Sequence, residues 1–199
     1  MPTLIHRILE PASGTTSRLV GLFQWQLDDQ TRRLTEHTRG ATTEELEWQP
    51  APGMNTMGML LAHIAVVEVG WIGVGVLEKG WDEADTVLPI RWKEIGIPFA
   101  PDGAPPAALK GRDLAYFDGL LAGARRHTKQ AVASLTDADI DRRFRTVAPW
   151  NDDLTFEGSV GWVLYHILEH EAGHYGQINL LRHQYRARRD PGGAAPPRA

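Results

Sequence analysis

His166-Ile167-Leu168-Glu169-His170-Glu171-Ala172-Gly173-His174 places histidines at i, i+4 and i+8. On a helix each four-residue step turns about 400°, so successive imidazoles drift by only about 40° and form one stripe. Neighbouring members can chelate one ion together. The outer two stand about 12 Å apart and cannot share one. A further ligand then has to come from another helix, so the stretch calls for a helix packed against a helix. Its own helix starts near Ser159, a good cap, and continues through Trp162 to about Arg188.

The partner is sought among the remaining histidines. His63 lies mid-way along an apolar run, flanked on its own face by Leu60 and Val67. His6, His37, His127 and His183 fall in terminal or polar contexts. Burying several imidazoles without partners costs a few kcal/mol each, and a shared metal ion removes that cost. Imidazole-only ligation suits Zn, Ni, Cu or Fe. Three protein ligands leave positions open for water or substrate, the pattern of a reactive site.

Working outward, the spacing predicts three more helices. The first spans about Thr16 to Gly40, with Leu19, Leu22, Phe23, Leu27 and Leu34 near the helical period. A short capped turn, 41–46, and the rigid connector Trp48-Gln49-Pro50-Ala51-Pro52-Gly53 follow. The second begins at Asn55 or Thr56 and reaches about Lys79. The third covers about Asp113 to Ser134. Between them, Pro89, Pro98, Pro101, Pro105 and Pro106 forbid a long helix across 80–110, which reads as a crossover or a cover carrying Trp81, Trp92 and Phe99. Residues 135–156 read as an irregular return. The expected fold is all-α, a four-helix bundle running up-down-down-up, with the long connection between helices 2 and 3. The domain is placed at 1–189 and a disordered tail at 190–199.

Composition narrows the function. The chain has 199 residues, enough to bury roughly 70% of its unfolded surface without covalent staples. It has no cysteine, which excludes disulfides, thiolate ligands and a cysteine nucleophile. A net charge of −4 argues against a nucleic-acid surface. The first residues hold no apolar run of signal-peptide length, and no stretch reaches 18 uncharged apolar residues. A cytoplasmic protein acting on a small molecule, with no membrane or nucleic-acid partner, is expected. The seven tryptophans and the apolar spread of the first helix suggest a contact surface and a homodimer.

Two known patterns compete for the histidine segment. His170-Glu171-Ala172-Gly173-His174 matches the zincin protease signature H-E-x-x-H. A metzincin then needs Gly and His where this chain has Gln177 and Leu180, and a gluzincin needs a later Glu, which is absent after Glu171. The second pattern is wider. The run from Trp48 to Ala65 resembles the start of the second helix of the DinB-like (DinB/YfiT) superfamily, and the run from Val163 to Ile178 resembles its last helix. The likeness covers most of 16–188. It implies a four-helix bundle holding one divalent metal ion on His63, His170 and His174, with Zn or Ni favoured and Fe or Mn as alternatives. It further implies a metal-dependent thiol S-transferase that activates a low-molecular-weight thiol (bacillithiol, mycothiol or glutathione). A metal-dependent hydrolase and a non-catalytic metal-binding or stress-response protein are the alternatives. His166 is additional: a neighbour of the ligands, a pocket residue, or a ligand if the register shifts by one turn. Beside the metal, Glu171 reads as an interhelical partner or a general base, and Gln177 as a group that orients something at the ion.

Overall fold

Ser17 starts the first helix: its hydroxyl accepts from Val20 N, and α1 runs Arg18–Thr38. Gly40 follows at φ +74°, a conformation that ends helices and carries no Cβ penalty for glycine. The computed structural model describes residues 8–95 and 103–189. Five further α-helices lie within them: α2 (Thr43–Glu47), α3 (Met57–Trp71), α4 (Trp81–Ala84), α5 (Leu114–Val132) and α6 (Val160–Arg189). Thr42, Thr56 and Asp113 cap α2, α3 and α5, each accepting from the backbone N–H three residues on.

The protein is mostly helical, as expected. The four long helices pack as a ring: α3 against α5 and α6, and α1 against α6 and α5. α3 is apolar all round, and every one of its residues is buried, as such a helix requires. The stretch Met57–Val76 is long and apolar enough to cross a membrane by length and composition, but it is wholly buried inside the fold. It interrupts its apolar residues with one charge, Glu68.

Two expectations need correction. The second long helix does not run as an α-helix to Lys79. Its α-helical bonding ends at Trp71 and a π-helical turn, Ile72–Val76, continues it, with Leu77 N donating to Ile72 O at 3.1 Å. Close approach explains the glycines there: a Cβ on Gly75 would sit 2.5 Å from Val163 Cγ2 and 3.0 Å from Phe144. The return over 135–156 is also not irregular. It contains an antiparallel hairpin, β1 (Arg143–Ala148) with β2 (Asn151–Ser159), in which Phe144 faces Gly158 and Thr146 faces Phe156. Only Phe144 and Ala148 of β1 are buried, so the period-two signal is too thin to read in sequence.

In its described residues the connection over 80–110 carries α4 and two 3₁₀ turns, Trp92–Glu94 and Ala107–Leu109. Phe99, expected in the cover, lies outside the described residues. So do His6 and the tail 190–199.

Candidate metal centre

α3 buries two titratable side chains, His63 and Glu68, in an otherwise apolar helix. Each needs partners, because an unpaired buried polar group costs several kcal/mol. Glu68 finds Arg125 of α5, whose Nε and Nη2 donate to its two oxygens at 2.9 and 3.1 Å. The Thr128 hydroxyl adds a bond of 2.6 Å. The same guanidinium donates to Glu171 of α6 at 3.0 Å, and Thr31 of α1 donates to that carboxylate at 2.7 Å. One buried network thus ties all four long helices. Burial would lower the pKa of Arg125, but Glu68 and Glu171 beside it raise it. Burial raises that of Glu171, with Arg125 opposing.

His63 finds imidazoles. Its Nε2 lies 2.9 Å from Nε2 of His170, which lies 3.1 Å from Nε2 of His174. Its Nδ1 is buried with no hydrogen-bond partner among the described residues. The spacing on α6 does what the stripe requires: His170 and His174, one turn apart, face His63 across the helix–helix contact. Ring centroids are 4.7 Å apart for His63 and His170, and 4.8 Å for His63 and His174.

Protons alone do not satisfy this arrangement. Gln177 Oε1 lies 2.8 Å from His174 Nδ1 and accepts from it in the tautomer that leaves the Nε2 lone pair facing inward. His170 Nε2 carries at most one proton and can aim it at one neighbour. The other contact is then a close nitrogen–nitrogen approach of about 3 Å with no hydrogen bond in it. A divalent ion accounts for that approach. Nitrogens 2.0–2.1 Å from one ion stand about 3.0 Å apart at a right angle and about 3.4 Å apart at the tetrahedral angle, close to the observed spacings. His63, His170 and His174 could hold a metal ion, their donor atoms all lying within 4.8 Å of one another.

The other candidates take different places. His166 is not in the trio: its Nδ1–H donates to Glu169 at 2.9 Å, its ring stacks on Trp162 at 4.8 Å, and it stands 5.5 Å from Trp71. Gln177 orients His174. Glu171 serves the ion-pair network. His37 meets the Tyr175 hydroxyl at 2.5 Å, remote in role from the trio.

Sequence reasoning missed two features. Arg125 shares the apolar stripe of α5 with Leu121, Thr128 and Val132, and a lone cation on such a stripe is a usable signal for a buried partner. A cavity of about 410 Å³ also lies nearby, with no histidine in its lining. Trp71 and Trp92 form part of its wall; Trp92 stands 5.5 Å from His63, and Trp71 stands 5.5 Å from His166, on which Trp162 also stacks. Four of the seven tryptophans line this cavity, which accounts for much of the aromatic excess.

The neutral imidazoles make the metal-free protein acid-sensitive. Burial, followed by the neighbouring histidine charges, pushes His63 down to about 3 and His170 to about 2. An unfolded histidine takes up its proton near pH 6.5. Stability from these groups is therefore complete above about pH 6.5 and is lost as pH falls towards 3, at up to about 1.4 kcal/mol per pH unit for each histidine. Urea midpoints of metal-free protein at pH 7.5 and pH 4.5 should show this loss. The His63→Gln, His170→Gln double variant should lose distinctly less; an equal loss in both would contradict the assignment.

Comparison with known proteins agrees with this picture. A family model described as the DinB superfamily matches residues 26–178, from within α1 to beyond His174. No curated protein matches the chain. Among solved structures, the chain is similar to a conserved protein of Enterococcus faecalis, at 17% identity and a TM-score of 0.58. The match covers 81% of this chain and 93% of that one. At this identity the likeness speaks for the fold.

Proposed function

The chain belongs to the DinB superfamily, and from that premise we propose that it is a metal-dependent S-transferase that activates a low-molecular-weight thiol such as bacillithiol, mycothiol or glutathione. The observation that carries the reading is the convergence of three imidazole Nε2 atoms near a cavity large enough for a small molecule. A divalent ion, Zn or Ni in the first instance, supplies Lewis acidity there and lowers the pKa of a thiol that reaches it. The chain has no cysteine, so the sulfur has to arrive on a bound molecule. Gln177 holds His174 in the tautomer that presents Nε2, and the Arg125 network sets the positions of α3 and α6 around the trio. Trp71 and Trp92 keep water from one side of the histidines and shape the approach of the acceptor. The ring of helix contacts supports an up-down-down-up bundle, with His63 and the His170–His174 pair on facing walls.

A zinc-protease reading finds less support. Its general base would be Glu171, and that carboxylate is engaged by Arg125 and Thr31.

The test is a screen of electrophiles against glutathione, mycothiol and bacillithiol, with metal-loaded and metal-stripped protein. Consumption should need both metal and thiol. Turnover with metal but no thiol would point to a hydrolase. Bound metal with no turnover in any arm would mean a non-catalytic protein.

A further inference from the structure

The cavity near the histidines is walled by indoles: Trp71 of α3, Trp81 of α4, and Trp92 and Trp150 from the segments after them. Trp71 and Trp81 meet edge to face, centroids 5.0 Å apart at 78°. Trp92 and Trp150 stand 6.3 Å apart at 31°. Two of these residues are tied to their surroundings by hydrogen bonds, Trp81 through its indole and Trp92 through its backbone N–H. Trp81 Nε1 donates to Thr146 Oγ1 and Val147 O, both at 2.9 Å, which anchors α4 to the hairpin. Trp92 N donates to Asp85 Oδ1 at 2.8 Å. A cage whose walls are fixed before binding loses little entropy when it fills.

The charged residues around the cage are unequal in sign. Among the described residues, three acidic ones, Asp82, Asp85 and Asp152, line it against one basic one, Lys93. Indole faces carry the negative lobe of the ring quadrupole, and several of them around one cation attract it together, more strongly as water is excluded. The same surroundings repel a carboxylate or phosphate. A purely apolar guest would use the rings but gain nothing from the aspartates.

We propose that this tryptophan cage binds the cationic, alkylated ammonium group of the small molecule on which the neighbouring metal centre acts. The proposal rests on the metal-centre reading for the reaction, and on the cage alone for the binding. Its place is apt: Trp92 of the cage stands 5.5 Å from His63 of the trio, and Trp71 stands 5.5 Å from His166 on the same helix as the other two.

Choline and its neutral carbon isostere, 3,3-dimethylbutan-1-ol, have nearly the same shape and differ in the charge. Tryptophan fluorescence and calorimetry on the full chain should show saturable binding of choline, and binding of the isostere weaker by roughly tenfold or more. Trp150→Ala, at a half-exposed ring, and Asp152→Asn, at an exposed carboxylate, should each weaken choline several-fold and leave the fold intact by circular dichroism. Trp48→Phe, outside the cage, should leave choline binding unchanged. Equal affinity for the two probes, or no saturable binding of choline into the millimolar range, would overturn the proposal. The titration is run on metal-stripped and zinc-loaded protein in parallel. Choline binding without metal uptake would sink the metal-centre reading and leave the cage; metal uptake without choline binding would do the reverse.

Discussion

Arg125→Met is expected to destabilise the protein by roughly 3–5 kcal/mol, a large part of the stability of a domain this size. The guanidinium is buried among Glu68, Glu171 and the more exposed Asp28, and it neutralises two carboxylates that water does not reach. Methionine fills much of the volume but supplies no charge and no donors. Glu68 keeps Thr128, Glu171 keeps Thr31, and neither hydroxyl offsets an ionised carboxylate in such a place. The loss should shrink when the carboxylates are neutralised as well. Arg125→Met combined with Glu68→Gln and Glu171→Gln should recover a large part of it. Urea unfolding of the three forms checks this, and a single-variant loss under about 1 kcal/mol would mean that the network is not the tie between the helices.

His170→Ala is expected to abolish metal retention, while His166→Ala retains it. His170 Nε2 is the central atom of the trio, in contact with both other nitrogens, so its removal leaves His63 and His174 without the group that bridges them. The effect should exceed the roughly 10–100-fold that follows from losing a residue which only orients a ligand, and Gln177→Ala should fall within that smaller range. Elemental analysis of untagged protein after dialysis gives the answer. Loss of metal in His166→Ala with retention in His174→Ala would move the chelating pair one turn towards the N-terminus of α6.

Much of this architecture is legible in the chain, for identifiable reasons. The four long helices announce themselves through apolar period and caps: Ser17, Thr56 and Asp113 all cap within a residue or two of the expected starts. The stripe on α6 marks three candidate histidines and the apolar helix a fourth; the resemblance to the DinB-like superfamily is what picks His63, His170 and His174 from them. What remained hidden depends on contacts between distant segments. The hairpin has one mostly solvated strand and a turn, Pro149-Trp150, without the usual Asn-Gly or Asp-Gly signal. The π-helical turn after Trp71 lies where distant neighbours, Ala84 and Val163, crowd Gly73 and Gly75. The cage draws its tryptophans from residues 71 to 150, so no window of sequence contains it. Glu171 shows the limit of motif reading. In H-E-x-x-H it is a base, but the fold turns it onto Arg125, and only the position of α5 decides between the two.

The central claim is that His63, His170 and His174 bind one ion through their imidazoles. X-ray absorption at the zinc edge, on untagged protein loaded with one equivalent, tests it most directly. The account predicts three imidazole nitrogens at about 2.0–2.1 Å, falling to two in His63→Ala protein forced to bind by excess zinc. A first shell with one imidazole or none, or one that is unchanged by His63→Ala, would contradict it.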